Sequence, residues 1–132
     1  MSKIKKINIV PNKIKVSATI TETFDYPIFC FKHLQTIPKA NFKFYADFIT
    51  RLKKISSLTW NEISNADRHG FGTEKMPVNQ IKLGLPKFIT PDVKYLLVFR
   101  ASGDNRPFLG LRNGTVFHII FIEEQFGDVY SH

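Results

Sequence analysis

Residues 14–20, Ile-Lys-Val-Ser-Ala-Thr-Ile, alternate apolar and polar side chains with the period of two that a half-buried strand requires. The same pattern at residues 4–10 predicts an earlier edge strand. Residues 26–31, Tyr-Pro-Ile-Phe-Cys-Phe, are aromatic and branched enough for a short, well-buried strand, with Pro27 placing its start at a sheet edge. The period then changes. From Asn41, a side chain able to cap a helix, to about Ile55, a helical stripe of Phe42, Tyr45, Phe48, Ile49, Leu52 and Ile55 opposes Lys43, Asp47, Arg51, Lys53 and Lys54. Thr59 and Glu62 have capping-box spacing for a second, shorter helix that turns Trp60 and Ile63 inward. Gly70, Gly72, Pro77, Gly84, Pro86 and Pro91 break the following stretch into loops with at most one short strand, mobile near residues 68–72. Residues 94–100 are apolar on both faces, as a central strand is. In residues 107–122, Asn113-Gly114 between two strand-like runs predicts a two-residue hairpin in which Arg112 faces Thr115, Leu109 faces His118 and Arg106 falls near Phe121. That register puts Arg106 and Arg112 on one face and His118 on the other.

The elements add up to an α+β fold, a mostly antiparallel sheet with one long and one short helix packed on one face. A chain of 132 residues without a repeat or linker is expected to form one domain, 1–132, with a basic N-terminal extension over about residues 1–15. No apolar run reaches the roughly 18 residues of a membrane span, and the start alternates Lys with apolar residues unlike a signal peptide. A cytoplasmic protein without membrane partners is expected. Cys30, the single cysteine, has no partner for an internal disulfide.

The formal net charge of +8 is unevenly spread. Residues 1–60 hold eleven Lys and Arg against three acids, whereas residues 61–132 hold eight of each. Lys3, Lys5, Lys6, Lys13 and Lys15 head this excess and are candidates for a salt-sensitive grip on a polyanion.

Phosphate-loop, nucleophile-elbow, HExxH and paired CxxC signatures are missing, and the four histidines are dispersed, so neither a metal nor another cofactor is expected. The last third carries Arg100, Arg106, Arg112, His118, Tyr130 and His132. Such a set suits metal-independent RNA cleavage: a base removes the 2′-hydroxyl proton, an acid protonates the leaving 5′ oxygen, and arginines offset the charge gained at phosphorus. The same residues also read structurally, with Arg100 paired to Asp104, Arg106 and Arg112 solvated, and His118 bonded to a core carbonyl.

The Arg-bearing strand, the run Phe108-Leu109-Gly110-Leu111-Arg112, the tight turn and the strand Val116-Phe117-His118-Ile119-Ile120-Phe121-Ile122 together resemble the RelE/HigB-type toxins of bacterial toxin–antitoxin systems over about residues 74–127. The resemblance implies a microbial-ribonuclease-like fold and cleavage of messenger RNA, often on the ribosome, under control of an antitoxin protein. It assigns the phosphate grip to Arg100 and Arg106 and a catalytic role to Tyr130 or His132. Where that family commonly ends in lysines, this chain has Glu123 and Glu124, either of which can serve as a carboxylate base. The competing expectations are a nucleic-acid-binding module without catalysis and a protein-interaction subunit whose basic face meets an acidic partner.

Overall fold

The computed structural model describes residues 25–35, 37, 39, 41–67, 70–101 and 106–132. The strands expected at residues 4–10 and 14–20, the N-terminal lysines, Arg68 and His69, and the turn 102–105 lie outside these residues. The described elements are β1 (Ile28–Cys30), α1 (Phe42–Ser56), α2 (Trp60–Ser64), β2 (Glu74–Pro77), β3 (Tyr95–Arg100), β4 (Pro107–Asn113) and β5 (Val116–Ile122), with one 3-10 turn at Val78–Gln80. They form an α+β fold around a mixed five-stranded sheet of order β1-β5-β4-β3-β2. β1 runs parallel to β5, and the other neighbours are antiparallel.

Both helices begin where side-chain chemistry supplies the missing acceptors. The Asn41 side chain accepts from Phe44 N at 2.9 Å, and Thr59 and Glu62 close a reciprocal capping box. α1 buries Phe44, Phe48, Leu52 and Ile55, whereas Phe42 and Ile49, expected inside, are 87% and 58% exposed. Two apolar stripes of similar period compete on this helix. Phe48 belongs to the buried stripe and lies 5.3 Å from Phe108 on the sheet, and Phe44, stacked on Phe48 at 6.1 Å and covered by the Arg106 guanidinium, is buried in place of Phe42. Phe29, Phe99, Phe108, Phe117 and Trp60 continue this layer in edge-on and stacked pairs, of which Phe99 and Phe108 stack at 5.2 Å. Each fully buried Phe contributes about 1.5–3 kcal/mol through removal from water.

The hairpin forms one residue later than its sequence predicts. Asn113 pairs with Val116, Arg112 with Phe117 and Leu111 with His118, so Gly114 and Thr115 are the loop residues. Gly114 takes φ +65° at the first central position, as both primed turn types require. The Thr115 carbonyl is then anchored by Trp60 Nε1 at 3.1 Å and Ile28 N at 3.0 Å. A bulge between Leu109 and Gly110 shifts the pairing, so that Gly110 meets Ile119 while Leu109 meets Phe121. Ile120 and Phe121 thereby both join a second core on the other face, with Leu96, Val98, Leu109, Val129 and Tyr130.

Candidate functional site

The face opposite the helices is covered by the chain that leaves β5, and a carboxylate decides its path. Glu123 is completely buried, with Oε2 accepting from Val129 N at 2.7 Å and Tyr130 N at 3.3 Å. Its Oε1 lies 2.6 Å from His132 Nε2. Gly127, at φ +96°, permits the reversal. Lys82 fastens the turn from outside, its backbone N–H donating to Val129 O and its Nζ to Gly127 O at 2.8 Å.

This path brings several titratable groups together. Tyr130, 3% exposed, places its ring 4.2 Å from the His132 ring, and Phe126 meets that imidazole edge-on at 4.8 Å. Burial raises the Tyr130 phenol above its ordinary range, the Arg100 charge opposes the rise, and Glu74 and Glu123 add to it. Arg100 forms a half-hidden ion pair with Glu74, Nη2 to Oε2 at 3.1 Å. The His132 side chain, 27% exposed, is the solvent-facing member. Because the Glu123 carboxylate engages Nε2, Nδ1 is the basic nitrogen of the neutral ring.

His118 belongs to a different cluster on the sheet. Its ring lies 4.8 Å from Phe88 and 5.6 Å from His33, and His33 stacks flat on Phe88 at 3.9 Å. Burial first, then the nearby His33 and Lys32, pushes the His118 imidazole below its usual pKa. His118 Nδ1 is buried without a hydrogen-bond partner, so the carbonyl bond expected of a core histidine is not made there.

Arg106 and Arg112 share the helix-side face, as expected from the strand alternation, but each is laid over an aromatic ring. The Arg106 guanidinium sits 4.4 Å above Phe44 and donates to Glu124 O, and that of Arg112 sits 4.2 Å above Trp60 and donates to Gly114 O. A grip on one phosphate by Arg100 and Arg106 together is therefore not formed. The two are on opposite faces because Arg100 keeps the orientation of Leu96 and Val98, while Arg106 turns toward Phe44. Pairing of Arg100 with Glu74 was not visible in the sequence, since Glu74 lies in a breaker-rich stretch whose strand is defined only by its pairing with β3. Among the described residues no group of three or more His, Cys, Asp or Glu is arranged to hold a metal ion. No described helix is long and apolar enough to cross a membrane.

Comparison with known proteins returns no match: no family model fits the chain, and no curated protein or solved structure is significantly similar to it.

Proposed function

We propose that the chain is a metal-independent endoribonuclease of toxin type acting on messenger RNA, with its chemistry at the Glu123–His132 pair. The observation that carries this reading is a fully buried carboxylate holding a partly exposed imidazole at 2.6 Å. Such a carboxylate fixes the ring's tautomer and orientation, which leaves Nδ1 as the proton acceptor for a 2′-hydroxyl. Tyr130 packs its buried ring against His132 and holds the imidazole in place, and Arg100, paired with Glu74, carries a fixed positive charge behind it. Glu123 is a positioning residue. The resemblance to RelE/HigB-type toxins agrees with catalysis near the C-terminal segment, and an antitoxin would then be a protein partner.

The test is incubation of the full chain with single-stranded RNA in EDTA, followed by end-group analysis. Cleavage leaving 2′,3′-cyclic phosphate is expected, and His132→Ala lowers it by about 100-fold or more, the usual size of a lost acid–base group. Glu123→Gln should shift the pH profile of the remaining activity. An inactive parent protein, or a folded His132→Ala variant with full activity, overturns the assignment.

A further inference from the structure

The helices cover only part of their face of the sheet. Beyond Trp60, which is 5% exposed and marks the border, a groove of about 460 Å³ opens across β2, β3 and β4. Leu97 forms its apolar floor, and its rim carries Lys75, Lys94 and Arg112 against one acid, Asp92. Asp92 is already engaged by the Thr90 hydroxyl. Tyr95 stands 42% exposed in the groove, with Lys75 Nζ 4.6 Å from its ring centre.

These groups arise from strand alternation. Lys75 pairs with Leu97 across β2 and β3, and Tyr95 follows the same parity, so all three point to the side where Arg112 lies over Trp60. Three long cations around an exposed phenol and an aliphatic floor combine the two contacts that a nucleotide makes, phosphate with cations and base with apolar or aromatic surface. An acidic peptide would satisfy the cations but leave Tyr95 and Leu97 without use.

We infer that this groove holds a nucleotide unit of single-stranded nucleic acid, with its phosphate among Lys75, Lys94 and Arg112 and its base against Tyr95. The inference takes RNA as the natural ligand from the cleavage reading, but the binding it describes needs no cleavage. The groove and the Glu123–His132 pair lie on different faces, so their variants are separable.

The experiment uses the full chain and a labelled oligothymidylate, which lacks the 2′-hydroxyl and cannot be cut, read by fluorescence anisotropy. Trp60, the single tryptophan, reports on the groove because Arg112 lies on its ring. Binding with a change in Trp60 emission is expected. Lys75→Gln with Lys94→Gln should weaken it at least about tenfold and flatten the log-log salt slope by up to about 0.7, the share of the one phosphate they hold. Tyr95→Ala should weaken binding about fivefold or more, the lower end of one base-stacking contact. Variants that melt like the parent and bind equally well overturn the inference, as does a Glu-rich peptide that binds the groove while oligothymidylate does not. Groove-dependent binding by a parent protein that fails to cut RNA would sustain this inference and remove the catalytic one.

Discussion

A carboxylate withdrawn from water is costly unless hydrogen bonds replace its hydration, and Glu123 receives two backbone N–H groups and an imidazole. Its sequence context, two adjacent acids after an apolar strand, marked it as a candidate base without showing that it would be buried. His118 presents the opposite case, a ring whose burial depresses its folded-state pKa. The unfolded chain then binds the proton more readily, so His118 contributes stability that is complete above the ordinary imidazole value of about 6.5 and is lost as pH falls from there through the lower folded value. Denaturant midpoints measured down this window should decline for the parent and decline less for His118→Gln. Equal slopes would mean that other groups govern the acid limb.

At the level of elements, the capped helices and the central hairpin were legible because each depends on contacts within a few residues: Asn41 with Phe44, Thr59 with Glu62, and the glycine that turns the hairpin. The buried stripe of α1 was legible at Phe48, Leu52 and Ile55 but not at its first turn, where Phe44 rather than Phe42 is buried, beneath the Arg106 guanidinium from the sheet. The bulge was equally hidden. Gly110 marks it, because a Cβ there would run into the backbone carbonyl of His118 on the neighbouring strand. Gly114, in contrast, has open space around it and is constrained only by its positive φ. Thermal melts should therefore separate the two positions. Gly114→Val is expected to cost about 1–2 kcal/mol from the left-handed backbone, and Gly110→Ala more than that, because one strand must move away from the other. A Gly110→Ala protein as stable as the parent would show that the bulge relaxes freely.

For the whole molecule, charge and face are the organising facts. The sequence indicated an α+β chain with a basic first half, but which face each arginine takes depends on strand pairing that no local pattern encodes; Arg100 and Arg106 are close in the chain and diverge across the sheet. If the N-terminal lysines add to nucleic-acid affinity, replacing Lys3, Lys5 and Lys6 by Gln should weaken binding to all sequences alike and lower the salt slope by up to about 2, at roughly 0.7 for each lost phosphate contact. An unchanged slope would confine recognition to the folded sheet. The parallel pairing of β1 with β5 has a kinetic consequence as well. The first described strand has its only described sheet partner in the last, and the aromatic face of α1 has Phe108 and Phe117 as its cover. During synthesis, α1 therefore emerges well before the surface that shields it, and the long loop closed by β1 raises the contact order of the final step. Ribosome-bound chains halted before Val116 should remain protease-sensitive through α1, and chains extended past Ile122 should become resistant.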